Sequence, residues 1–289
     1  MARYLVARRF ALVAALFALA ALAVRPARAE DPTPQLVQIG SMQAQLFLPP
    51  GGGQRPVVIF SHGRATKAEG RAALRNPIPL GHAGYWLGKG FAVVAPIRPG
   101  YGATGGPDRE SSGARWDEQG RCLGAPHAMR AANTAADAVE EALAWVRAQG
   151  WARRDRILLV GQSVGGLASV VLGGRNPPGV IGVVNFSGGT GGDPVRHPGQ
   201  SCGVEDVAQA FAAAGRSSHG PSLWLYAVND QYWGAEAPAL WSKRFAEAGG
   251  RVRFVMTGPV PDPDGHNLMR RGGRLWSEHV NPFVRTLGL

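Results

Sequence analysis

The chain has 289 residues, 45% of them hydrophobic, with 31 Lys and Arg against 20 Asp and Glu and a net charge of +11. That length suits one α/β domain behind a short leader rather than several domains. The basic residues are scattered, with Arg153-Arg154 and Arg270-Arg271 as isolated pairs, so neither a basic stripe nor a motif points to nucleic acid. Two cysteines without a CxxC spacing exclude a zinc or dithiol redox motif.

The first element is read as a secretory leader over residues 1–29. Arg3, Arg8 and Arg9 precede an uncharged apolar run at 10–24, and Ala27-Arg28-Ala29 fits the small-x-small cleavage pattern. The run is shorter than the roughly 20 residues of a membrane span, which leaves an uncleaved anchor as the alternative. Arg8-Arg9-Phe10 lacks the fuller twin-arginine pattern, so the export route stays open. Removing 1–29 takes away five arginines and no acids, and the net charge falls to +6. The reading is a periplasmic or extracellular chain with its domain at 30–289.

Strands then alternate with helical patterns, which predicts an α/β fold with a mostly parallel sheet. Residues 35–39 and 43–48 form an opening hairpin across Gly40-Ser41. The continuous apolar runs at 56–61, 91–97, 156–160, 180–186, 223–228 and 251–256 read as strands, several covered on both faces. Helices are expected at 128–149, 163–172, 237–248 and 274–287, the last interrupted at Pro282. Residues 99–127 and 187–203 break the rhythm. They are long Gly-, Pro- and polar-rich loops, each following a strand, and ligands bind outside the carboxyl ends of parallel strands.

Gly161-Gln162-Ser163-Val164-Gly165 is a G-x-S-x-G pattern with a strand before and a helix after. A nucleophile elbow needs small residues two before and two after the serine, because the turn is strained and the backbone passes close. The bland alternative is a tight turn. A serine needs a base oriented by an acid. Asp230 ends the strand "SLWLYAVND", and His266 sits in "PDPDGHNL", ten residues beyond Met256. Asp193 is the alternative acid. His62, His82, His127, His197, His219 and His279 fit the serine–acid–histidine order worse. An oxyanion would need two backbone donors, one from Val164 and one from Arg64 in the loop after the strand at 56–61. His62 is expected to pack beneath the site.

In order, "FSHG", "RPGYGATGG", "GQSVGG", "LWLYAVND" and "DGH" resemble the α/β-hydrolase superfamily, and within it the dienelactone-hydrolase-like branch, over nearly all of residues 35–287. The resemblance implies the α/β-hydrolase fold: a mostly parallel, eight-stranded-type central sheet flanked by helices. It further implies a Ser163–Asp230–His266 triad and no cofactor or metal. One departure stands out: the namesake enzymes use a cysteine nucleophile, and this chain has Ser163. The expected activity is therefore hydrolysis of a small-molecule or polymeric carboxylic ester. A peptidase, an acyltransferase and a non-catalytic binding protein are the alternatives. With both long loops on the rim of Ser163, Cys122 and Cys202 are expected to form a disulfide in an exported chain, against two free thiols. Tyr101, Trp116, Tyr232 and Trp233 fall near these loops, either lining an acyl or aryl pocket or anchoring the loops.

Overall fold

A computed structural model describes residues 31–289 apart from Ala125. The leader expected at 1–29 lies outside the described residues. Twelve strands occur among them: β1 (Gln35–Ile39), β2 (Met42–Phe47), β3 (Arg55–Ser61), β4 (Ala92–Pro96), β5 (Arg115–Trp116), β6 (Cys122–Leu123), β7 (Ala152–Gln162), β8 (Val180–Phe186), β9 (Gly192–Asp193), β10 (His197–Ser201), β11 (Pro221–Ala227) and β12 (Arg251–Thr257). The helices are α1 (Ala68–Ala72), α2 (Leu80–Leu87), α3 (Ala128–Arg147), α4 (Val164–Gly174), α5 (Val204–Ser217), α6 (Glu236–Glu247), α7 (Leu268–Arg271) and α8 (Gly273–Thr286), with a 3-10 turn at Gly265–Asn267.

Eight strands make one sheet in the order β1-β2-β4-β3-β7-β8-β11-β12. β2 runs antiparallel to both neighbours, and every other pairing is parallel. The apolar runs of β3, β4, β7 and β8 supply side chains to two cores, one on each face of the sheet. On one face α3 buries an alanine-rich stripe from Ala128 to Val146, beside α4, α5 and α6. On the other, Trp86 of α2, Leu268 of α7 and Trp276 of α8 close the second core. The sheet therefore presents the carboxyl ends of β3, β4, β7, β8 and β11 to one rim, where their following loops meet.

Four helices were not foreseen, among them the single turn α7. In α2, Gly81 and Gly84 give a poor local propensity, and burial of Trp86 against Phe91 overrides it. α1 buries no residue. In α5, Val207, Ala208, Phe211 and Ala214 do carry helical spacing, and Glu205 and Asp206 favour its first turn. β7 begins at Ala152, before the expected strand, and α8 runs through Pro282 without interruption. Both long loops fold into short hairpins. β5 sets Trp116 opposite Cys122 of β6, and β10 pairs with β9.

Cys122 and Cys202 form a disulfide that joins the two hairpins over a separation of 80 residues. Closing a loop of that size lowers the entropy of the unfolded chain by an amount worth about 4 kcal/mol. The double variant Cys122→Ala/Cys202→Ala is therefore expected to melt about 10 °C lower, at roughly 2–4 °C per kcal/mol for a domain of this size. Thermal unfolding followed by circular dichroism measures it, and an unchanged Tm would show the bridge to be passive.

Candidate active site

Ser163 links β7 to α4. Its backbone sits at φ 58°, ψ −128°, a region that L-residues enter only under tertiary constraint. The neighbouring glycines explain how the constraint is met. A β-carbon at Gly161 would overlap the Gly165 carbonyl, and one at Gly165 would overlap the Ser61 and His62 carbonyls. Ser163 N–H donates to Phe186 O (3.0 Å), and its carbonyl accepts from Gly166, Leu167 and Gly189 N–H. The hydroxyl does not cap α4 and makes no hydrogen bond among the described residues.

His266 and Asp230 meet at this rim. His266 Nδ1 lies 3.0 Å from Asp230 Oδ2, with both side chains almost fully buried. The other carboxylate oxygen, Oδ1, accepts from Tyr232 N–H (2.8 Å) and Trp233 N–H (3.2 Å). Asp264 does the same for the second loop: its Oδ1 accepts from His266 N–H and, across to the Asp230 loop, from Gln231 N–H, each at 2.9 Å. Asn229 adds further ties, accepting from Val260 N–H and donating to the carbonyls of Val260 and Asp262. The Tyr232 ring lies 4.1 Å from the imidazole and Trp233 5.4 Å, centroid to centroid. Gln162 Nε2 reaches the His266 carbonyl at 3.4 Å, linking the residue before the elbow to the histidine loop. The Nε2 edge of His266 has no partner among the described residues.

The N–H groups of Val164, at the start of α4, and of Arg64, in the loop beyond β3, also donate to no protein acceptor among the described residues. His62 is a buttress. Burial, and then the charge of Arg98 beside it, hold its pKa well below the usual range, so the ring is neutral. Its Nε2 accepts from Arg98 N–H (3.2 Å), which leaves Nδ1 as the donor to Gly63 O (2.7 Å).

The other expected residues divide. Tyr101 is 1% exposed and donates its hydroxyl to Glu110 Oε2 (2.8 Å). It is a loop anchor rather than a pocket wall, because its polar tip needs that buried partner. Asp193 makes no hydrogen bond to His266 among the described residues: its carboxylate accepts from Arg196 and from the Val195 and Arg196 backbone. Trp116 stacks on His197 at 4.1 Å. With Trp233, Cys122, Val204 and Leu240 it lines a cavity of about 740 Å³, in which Glu236 is the charged lining residue. Trp233 faces both this cavity and His266. Spacing gave no access to the roles of Asn229 and Asp264, although an Asp two residues before His266 is a turn signal.

Searches against family models and curated proteins find no match for this chain. Solved structures do match. An acylaminoacyl peptidase from Pyrococcus horikoshii superposes with a TM-score of 0.61 at 12% identity, over 88% of this chain and 41% of that one. A protein described as a dienelactone hydrolase from Klebsiella pneumoniae gives 0.55 at 16% identity, over 89% and 97% of the two chains. Est1E from Butyrivibrio proteoclasticus gives 0.55 at 14%, over 88% and 98%. This is the α/β-hydrolase fold. The chain spans about two fifths of the length of the first peptidases it matches. It spans nearly all of the two smaller proteins. In the α/β-hydrolase fold the strand-to-helix turn after β7 and the loops after β3, β11 and β12 converge on one rim, as here. Among the described residues no helix is long and apolar enough to cross a membrane.

Proposed function

We propose that the chain is an exported serine hydrolase that cleaves carboxylic esters through an acyl-enzyme on Ser163. One observation carries the reading: a serine hydroxyl without structural duties stands on a positive-φ elbow whose preceding residue, Gln162, bonds to the carbonyl of His266, itself paired with buried Asp230. Asp230 accepts from Nδ1–H, which leaves the lone pair of the neutral ring on Nε2 as the base. His266 takes the Ser163 proton as Oγ attacks the ester carbonyl carbon. The resulting oxyanion is held by the N–H groups of Val164 and Arg64. The tetrahedral species collapses, and the alcohol leaves with the proton from His266. His266 then deprotonates a water that attacks the acyl-enzyme, releasing the acid and restoring Ser163. Every atom and proton balances without a cofactor.

The cavity beside Trp233 is where the acyl or aryl group would sit. Its tryptophans and disulfide suit an uncharged apolar group, and Glu236 disfavours a carboxylate-bearing lactone. The likeness along nearly the full length of a protein described as a dienelactone hydrolase, a lactone being a cyclic ester, supports an ester substrate. The disulfide supports an oxidising compartment, in keeping with the leader read at 1–29.

A fluorophosphonate probe tests the reading. Incubation with the purified chain is expected to add one probe per molecule, on the peptide that carries Ser163, and to abolish turnover of a short-chain aryl ester. A folded, oxidised protein that neither labels nor turns over would make it a binding protein on a hydrolase scaffold. Turnover of an acylated peptide at the expense of the ester would make it a peptidase.

A further inference from the structure

Behind the loop that carries Arg64 lies an ion pair with no part in the mechanism above. Arg98, just past β4, and Glu110, in the loop that follows, have side chains 0% and 2% exposed. They form a two-pronged pair, Nε to Oε1 at 2.6 Å and Nη2 to Oε2 at 2.8 Å. Tyr101 closes the second oxygen. Arg98 Nη1 then donates forward, to Ser61 Oγ (3.0 Å) and to the carbonyl of His62 (2.7 Å), while its backbone N–H holds the His62 ring.

A buried pair is weak evidence for stability. Removing both charges from water is repaid only where the geometry is close to ideal and the remaining donors and lone pairs are bonded, as they are here, and an apolar pair of the same volume would often serve stability as well. A further use is visible in what the fork holds. The His62 carbonyl, the His62 ring at both nitrogens and the Arg64 guanidinium (through Asp108) are all fixed. Asp108 is tied in turn to the Glu110 backbone N–H at 3.1 Å. The Arg64 N–H, the donor proposed above, has no acceptor among the described residues, and Gly63 beside it packs against Ser163 and Gln162.

We propose that Glu110, acting through Arg98, is a positioning residue that aims the Arg64 N–H at the oxyanion formed on Ser163. The inference rests on the serine-hydrolase reading above. A donor aimed in advance strengthens binding of the transition state and not of the ground state, so its loss appears in kcat.

Glu110→Gln keeps the shape and removes the charge that orients the guanidinium. The kcat for a short-chain aryl ester is expected to fall roughly 10- to 100-fold, with KM within about twofold. Affinity for a boronic acid that forms a tetrahedral adduct on Ser163 should fall by the same factor, while affinity for the product alcohol stays put. A merely structural role would not separate these two ligands. Should Glu110→Gln fail to fold, Arg98→Lys carries the test. It keeps the charge balance, loses the fork onto His62, and is expected to show the same split. Wild-type kcat or wild-type boronic-acid affinity in a folded variant, from an enzyme whose turnover depends on Ser163, would overturn this inference alone. A wild type without turnover would overturn the hydrolase reading and this inference with it.

Discussion

Replacing Ser163 with alanine is expected to lower kcat on a short-chain aryl ester by about 10⁵-fold, equivalent to about 7 kcal/mol of activation free energy. The nucleophile is the one atom for which the site holds no substitute. The acid, the base and both backbone donors remain in the variant, yet they can only polarise a water, and removing any one member of such a set forfeits most of the combined effect. The loss should come without a folding defect. The hydroxyl makes no hydrogen bond among the described residues, and alanine faces the same φ of 58° that serine already bears. A melting temperature within a degree or two of wild type, together with lost turnover and lost probe labelling, is the expected result. Retained turnover would remove Ser163 from the chemistry.

Asp230→Asn is expected to reduce kcat by about 10⁴-fold, for a reason that lies in its second oxygen. Oδ1 accepts from two backbone N–H groups, so an asparagine must place its carbonyl oxygen there. Its NH₂ then points at His266 Nδ1. The imidazole answers by accepting at Nδ1 and carrying its hydrogen on Nε2, the edge that should receive the serine proton. The variant thus keeps its fold and its turn while holding the base in the wrong tautomer. Nitrogen-15 NMR of labelled histidine reads that exchange directly. An Nδ1–H tautomer in the variant, or activity near wild type, would count against Asp230 as the orienting acid.

The parts of the fold that could be read in advance are those where one physical signal dominates. The runs at 57–60 and 157–160 are apolar at every position because both faces of their strands are covered, and their shortness and β-branched content mark them as strands. Gly161 and Gly165 could be read because their spacing around a serine answers to a backbone collision. Where signals compete, reading fails. α2 forms despite two glycines because Trp86 is buried there, a fact that resides in Phe91 rather than in the helix itself. Tyr101 reads equally as pocket wall or loop anchor, because an aromatic in a loop near a site has no local mark to show which way it faces; the partner that decides it, Glu110, is a long-range consequence of how the loop folds back. The Arg98–Glu110 pair was illegible for the same cause. Asn229 and Asp264 are ordinary turn residues by type, and become more only when β11 and β12 lie side by side.

That last adjacency has a mechanical side. β12 is the outermost strand of the sheet, and rim strands open before central ones. The loop after β12 carries His266, so its excursions would ordinarily stretch the bond to Asp230 on the next strand inward. Asn229 and Asp264 stitch the two loops together through four side-chain hydrogen bonds, and the Gly265 N–H adds a fifth to the Asn229 carbonyl, independently of the sheet. When the rim breathes, imidazole and carboxylate ride on one raft. What changes is the raft's distance from Ser163, which is anchored in the middle of the sheet. The protein can thus loosen at its edge while the Asp230–His266 geometry holds, and Gln162, bonded to the His266 carbonyl, limits how far that pair moves from Ser163.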